Sequence, residues 1–224
     1  MTTETMNLTT SYGATTAHVA LPTQPAKAAV LLIHEWWGVN DHIRDLASRY
    51  AAEGYICVAP DLFRGKLAKD SKEAAKLMQD LSIEDGLATI RAAFEETKRT
   101  YGAHRIGITG YCMGGTYALR AACEIDSLAA SATFYGDIPE ETVLAKLKVP
   151  VLFIAASRDQ WINTEKVEKL KEAARKYNLP IEVVTYDADH AFFNDTRPEV
   201  YNPEAAADAW RRVLAFFRAR LLDA

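Results

Sequence analysis

Cysteine is scarce in this chain: Cys57, Cys112 and Cys123 are the only three among 224 residues. An odd number excludes a fully paired disulfide framework, and no Cys-x-x-Cys spacing offers a zinc site. No apolar stretch approaches the roughly 20 residues that span a bilayer. Lys and Arg are scattered and the net charge is −4, so neither nucleic acid nor an anionic membrane is an expected partner. Met1-Thr2-Thr3-Glu4 lacks the charged, apolar and small-residue segments of a signal peptide. There is no internal repeat, low-complexity tract or Pro/Gly/Ser linker. These absences lead to the expectation of one domain spanning residues 1–224 in a reducing cytoplasm, without metal or other cofactor.

Two kinds of segment alternate along the chain. Short, nearly continuous apolar runs read as strands buried on both faces: Ala28–Ile33, Tyr55–Ala59, Ile106–Thr109, Leu128–Tyr135, Val151–Ala156 and Ile181–Tyr186. Helical spacing of apolar residues marks Asp41–Glu53, Lys72–Leu81, Glu84–Thr100, Met113–Cys123, Thr164–Tyr177 and Pro203–Leu222. Asn163 stands where a cap for the helix at Thr164 is needed, and Gly54 where the first helix must stop. Repeated strand–helix units mean parallel strands joined by right-handed crossovers, with helices on both faces. Met6–Tyr12 and Thr16–Leu21, separated by Gly13-Ala14-Thr15, read as an antiparallel hairpin preceding that sheet. The stretch Asp61–Ser71 is the longest polar connection and is expected to form a mobile edge of any site.

The strongest chemical signal is Gly110-Tyr111-Cys112-Met113-Gly114-Gly115, between a strand and a helix. A nucleophile on a strained turn needs small neighbours two residues away on each side, so that strand and helix can approach. The helix N-terminus then aims free N–H groups and its positive dipole end at Cys112, and the Met113 N–H becomes an oxyanion donor. Cys57, within an apolar run, and Cys123, late in a helix, read as packing residues.

In an α/β-hydrolase the acid and the histidine follow the nucleophile in chain order, on loops after later strands. Val151–Ala156 ends in Ser157-Arg158-Asp159, and Ile181–Tyr186 leads to Asp189-His190. Asp159 is the expected acid and His190 the expected base; Asp137, after Leu128–Tyr135, is the competing acid. Asp187 and Asp189 are too near His190 in sequence and are read as turn residues. His34 ends the first parallel strand, too early for the base, and is expected only to shape the site; His18, His42 and His104 are read as surface or packing residues.

After Ala28–Ile33 comes His34-Glu35-Trp36-Trp37-Gly38-Val39-Asn40. With Ala59-Pro60-Asp61-Leu62, the elbow, Tyr135-Gly136, Asp159 and Asp189-His190-Ala191-Phe192, this order resembles the dienelactone hydrolase family. The resemblance implies an α/β-hydrolase fold: a mostly parallel central sheet, helices on both faces, an N-terminal antiparallel hairpin. It further implies a Cys-His-Asp triad with Glu35 beside the thiol. In that scheme the resting thiol is protonated and Glu35 takes its proton when substrate binds, which spares the enzyme an oxidisable thiolate. The Trp36 N–H would be the second oxyanion donor. Family members that act on dienelactone hold its carboxylate with two arginines. The corresponding places here are Asn194 and a segment, Ser71–Met78, with Lys72 and Lys76 but no arginine, and nothing brings Arg197 to the site. Dienelactone itself is therefore not assigned.

Trp37, Tyr135, Trp161, Phe192 and Phe193 flank these positions and are expected either to line an apolar pocket or to belong to the core. The expected activity is hydrolysis of a small carboxylic ester or lactone, by a monomer or small homo-oligomer. A thioesterase or haloacid hydrolase would use the same triad. A non-catalytic binding or redox-sensing protein would use Cys112 as a reactive thiol and would not need Asp159 and His190.

Overall fold

The computed structural model describes residues 1–223. Its strands are β1 (Thr2–Thr10), β2 (Gly13–Leu21), β3 (Ala28–Ile33), β4 (Ile56–Pro60), β5 (Arg105–Tyr111), β6 (Ala130–Phe134), β7 (Val151–Ala156) and β8 (Ile181–Tyr186). The helices are α1 (Asp41–Ala52), α2 (Ser71–Asp80), α3 (Ile83–Tyr101), α4 (Met113–Glu124), α5 (Glu141–Leu144), α6 (Thr164–Tyr177) and α7 (Pro203–Phe217). The strands form one eight-stranded sheet in the order β1-β2-β4-β3-β5-β6-β7-β8. β2 runs antiparallel to β1 and β4, and every pairing from β4 to β8 is parallel. This is the α/β-hydrolase architecture that the strand–helix alternation predicts.

Period-2 burial sorts the central strands between two cores. From β3, Ala29, Leu31 and Ile33 face one apolar cluster with Leu87, Ile90 and Phe94 of α3 and Leu119 and Ala122 of α4. Ala28, Val30 and Leu32 face the other, with Ile43, Leu46 and Tyr50 of α1 and Ala209, Val213 and Phe217 of α7. Helices therefore cover both faces.

Several details differ from the sequence expectation. The hairpin turn is Ser11-Tyr12, not Gly13-Ala14-Thr15, because Thr10 Oγ1 accepts from Tyr12 N–H at 3.1 Å and its hydroxyl donates to Gly13 O at 2.9 Å. Gly13, at φ +118°, takes up the reversal directly after the turn. The last helix does not run regularly to Leu222: α7 ends at Phe217 and Arg218–Leu222 wind as a π-turn. The expected mobile edge is pinned. Asp61 accepts from Phe63 N–H at 2.8 Å and Gly65 N–H at 2.6 Å, and Ala68 N–H donates to Trp37 O at 3.1 Å.

The order of strands decides where a site can form. The chain moves from β3 outward to β4, then crosses back to β5 on the other side of β3. A crevice opens where successive connections diverge, beyond the carboxyl ends of the strands on either side. The residues after β3 and β5 therefore meet across that crevice.

Candidate active site

Cys112 follows β5 and caps α4 with φ 56° and ψ −118°, a conformation disfavoured for any side chain. The surrounding glycines make it possible. A Cβ on Gly110 would lie 2.1 Å from Gly114 O, and one on Gly114 would lie 2.2 Å from Ile33 O. Helix, elbow strand and β3 thus touch backbone to backbone. Two further non-glycine residues with positive φ flank the same place: Tyr135 (φ 36°) after β6 and Ala191 (φ 64°) after His190. Strain concentrated in this way is characteristic of functional sites.

The loops after β7 and β8 bring Asp159 and His190 together. Asp159 Oδ2 accepts from His190 Nδ1 at 2.6 Å, while Oδ1 accepts from Trp161 N–H at 2.8 Å and Ile162 N–H at 2.9 Å. Asp159 is nearly fully buried, which pushes its proton affinity up, but the His190 hydrogen bond and charge and the two backbone N–H groups outweigh burial and hold it below the usual carboxylate range. The rival Asp137 points elsewhere, accepting from Lys166 Nζ at 2.8 Å. Arg158 pairs with both Asp187 and Asp189, so these two aspartates tie the acid's loop to the histidine's loop as well as serving the turn. The His190 ring lies between Tyr135 and Trp161, each 5.0 Å away between centroids.

Glu35 stands at the end of β3 with 2% of its surface exposed. Burial raises its proton affinity, opposed by a 2.7 Å hydrogen bond from Asn194 Nδ2 and by the charges of Arg197 and His190. Burial, and then the charge of Glu35, push the Cys112 thiol up to about 12, against which the Met113 N–H pulls it down. Met113 opens α4, and neither its N–H nor that of Trp36 donates to a backbone acceptor among the described residues.

His34, expected only to shape the site, is a completely buried strut. Its Nε2 accepts from Leu62 N–H at 3.1 Å, so Nδ1 carries the proton and donates to Glu35 O at 2.6 Å. Desolvation holds the ring neutral. It thereby fixes the backbone that presents Glu35 and Trp36.

The aromatic candidates divide. Phe192 and Phe193 are core residues; Phe193 packs on Tyr111, Phe134 and Trp210. They are buried because the turn after His190 plunges into the cluster beneath the sheet. Tyr135 is buried but borders His190. Trp36 and Trp37 are half-buried and pack edge to face, and Trp161 is 66% exposed. Cys57 and Cys123 are buried in the two cores. Arg197 pairs with Glu199 at 2.8 Å, and its charge reaches Glu35 and Cys112 only through space.

Sequence reasoning passed over Asn194 as a partner for Glu35. The only local signal is a polar run, Asn194-Asp195-Thr196, directly after two buried aromatics.

Comparison with known proteins agrees with this architecture. The model of the dienelactone hydrolase family matches residues 15–221. Protein usf of Aquifex pyrophilus is 35% identical over 205 residues, covering 86% of this chain and 88% of the relative. A candidate carboxymethylenebutenolidase of Aquifex aeolicus (strain VF5) is 33% identical over 210 residues, covering 88% and 90%. Among solved structures, a candidate dienelactone hydrolase from Klebsiella pneumoniae superposes with a TM-score of 0.89 at 30% identity, covering 96% of this chain and 98% of that one. The chain belongs to the dienelactone hydrolase family, hydrolases of ester and lactone bonds.

Proposed function

We propose that the chain hydrolyses small carboxylic esters or lactones through a Cys112–His190–Asp159 triad and an acyl-enzyme, with Glu35 assisting the thiol and no cofactor. The observation that carries this reading is the 2.6 Å Asp159–His190 contact beside a cysteine held on a strained turn at a helix N-terminus. With Nδ1–H bound to Asp159, Nε2 of a neutral His190 is the free, basic nitrogen.

The thiol proton leaves Cys112 through Glu35 and reaches His190 Nε2. The thiolate attacks the carbonyl carbon, and the Met113 and Trp36 N–H groups receive the oxyanion. Collapse of the tetrahedral intermediate breaks the C–O bond, and the imidazolium, backed by Asp159, hands its proton to the leaving alkoxide. Neutral His190 then takes a proton from water as the water attacks the thioester, and returns it to the departing thiolate. Trp161, Trp36 and Trp37, the aromatic surface still open near His190 and Glu35, would contact the apolar part of the substrate.

Steady-state hydrolysis of a small activated aryl ester by wild type and Cys112→Ser tests the assignment. Turnover that collapses in the variant is expected; undiminished turnover would remove Cys112 as the nucleophile.

A further inference from the structure

Glu35 has an unusual partner. Its Oε2 accepts from Asn194 Nδ2, and both side chains are 2% exposed. The orientation of that amide is set by its other end: Asn194 Oδ1 accepts from Thr196 N–H at 3.0 Å and from the Thr196 hydroxyl at 2.6 Å. With the oxygen engaged on both, the NH2 group must face Glu35. The next residue, Asp195, is anchored on α1 by Arg49 Nη2 at 2.6 Å and lies 3.4 Å from His42 Nδ1. The loop cannot follow Glu35 if the carboxyl swings away.

The other groups facing Glu35 are Cys112 from α4, Tyr135 after β6, His190 after β8, and Arg197 beyond it. None of these hydrogen-bonds to its carboxyl among the described residues, and His34 engages only its backbone carbonyl.

We infer that Asn194 is a positioning residue that holds the Glu35 carboxylate toward the Cys112 thiol while leaving it basic enough to take the thiol proton. An uncharged donor is suited to this. It favours the ionised carboxylate enough to keep it acceptor-ready, whereas a guanidinium in contact would favour that form so strongly that proton uptake from a thiol would be suppressed. During the step the S–H bond breaks, the proton moves to Glu35, and the electron pair stays on sulfur for attack. Asn194 then donates to a neutral carboxylic acid, a weaker acceptor, which favours onward release of the proton to His190. The role rests on the assignment of Glu35 above.

Asn194→Asp is the decisive variant. It keeps the oxygen that Thr196 requires and turns the donor into a carboxylate oxygen facing Glu35. With an activated aryl ester, kcat is expected to fall about tenfold or more near neutral pH, the loss of one hydrogen bond to a charged group. The acid limb of kcat/KM should move to higher pH, and KM should change little. In a Glu35→Gln background the same substitution should change kcat less than twofold, because the glutamine amide can donate to the new carboxylate. An equal loss in both backgrounds, or an acid limb that stays in place, would overturn the role of Asn194. A Glu35→Gln enzyme with wild-type kcat and pH profile would instead remove Glu35 from the mechanism. If Asn194→Asp does not fold, Asn194→Ala in the same cycle, read by the pH dependence of Cys112 alkylation with iodoacetamide, gives the same decision.

Discussion

Replacing Gly114 by alanine tests whether the elbow works by close backbone approach. The added Cβ would stand 2.2 Å from Ile33 O and 2.7 Å from His34 O, both rigid backbone atoms. Restoring an ordinary C···O separation of about 3.3 Å requires α4 and the β3 end to part by roughly 1 Å. That movement separates Cys112 from Glu35 and Trp36, which hang from β3. Overpacking of this kind costs about 1–3 kcal/mol. For a chain of this size each kcal/mol lowers Tm by about 2–4 °C. A misplacement of about 1 Å between reacting groups can reduce turnover on the order of 100-fold. Gly102→Ala is the control, since nothing lies within 4 Å of its Cβ and its φ of +62° adds only local strain, about 1–2 kcal/mol. Thermal unfolding by circular dichroism and aryl-ester kinetics on both variants give the answer. Both should lose several degrees of Tm, but only Gly114→Ala should lose turnover. Wild-type kcat/KM in Gly114→Ala would refute the steric account of the elbow.

Two further outcomes follow from the carboxylates. Asp159→Asn should reduce kcat by about 10⁴-fold, the scale seen when the acid of a Ser-His-Asp triad is neutralised. Because the Asp159 carboxyl is held below its unfolded value, it contributes stability above pH ~4 that is lost as pH falls through its folded pKa. Acid-titrated unfolding of Asp159→Asn should lack that component, and an unchanged acid limb would contradict it. For Glu35 the sign reverses. Burial raises its folded pKa, so its ionisation opposes folding as pH rises above the unfolded value near ~4.3. Glu35→Gln, which keeps an acceptor for Asn194, should therefore have a higher Tm than wild type at pH 7, with the gap closing as pH falls toward ~4; a gap independent of pH would show that Glu35 does not titrate as described. A gain in stability with a loss of turnover is the trade expected of a carboxylate kept for function.

What the sequence made legible depended on the range of the interaction. Ala28–Ile33 and Val151–Ala156 have the predicted bounds, because a continuous apolar run between breakers is a local signal; Ile181–Tyr186 has them too, but β8 is the sheet's edge strand and none of its residues is buried, against the expectation of burial on both faces. The elbow was equally plain, since Gly110 and Gly114 answer a steric demand within five residues. The hairpin turn was misplaced because Thr10 hydroxyl bonds close it, and glycine drew attention one residue too far. The one-turn helix α5 has too few residues for any periodicity to show. Asp159 and Asp137 both satisfy the chain order and both follow a strand; only geometry shows Asp159 on His190 and Asp137 turned toward Lys166. The Glu35–Asn194 pair spans 159 residues of sequence and connects two polar side chains that carry no pattern. His34 is similar: its value lies in Leu62, which reaches it only after β3 and β4 have paired.

The placement of the three thiols, Cys57 and Cys123 buried and Cys112 half-buried, has a consequence for handling and for the life of the molecule. Burial raises the pKa of Cys57, pushes Cys123 up to about 12, and, together with the charge of Glu35, does the same to Cys112. An unfolded chain would instead carry three ordinary thiols of pKa ~8.5, each partly ionised in mildly alkaline buffer. Folding thus acts as this chain's own preservative. Every excursion to the open state in aerated solution exposes three sulfurs that no native disulfide claims, and any cross-link made there blocks the return. The measured shelf life should then follow the rate of opening, not the reactivity of the native nucleophile.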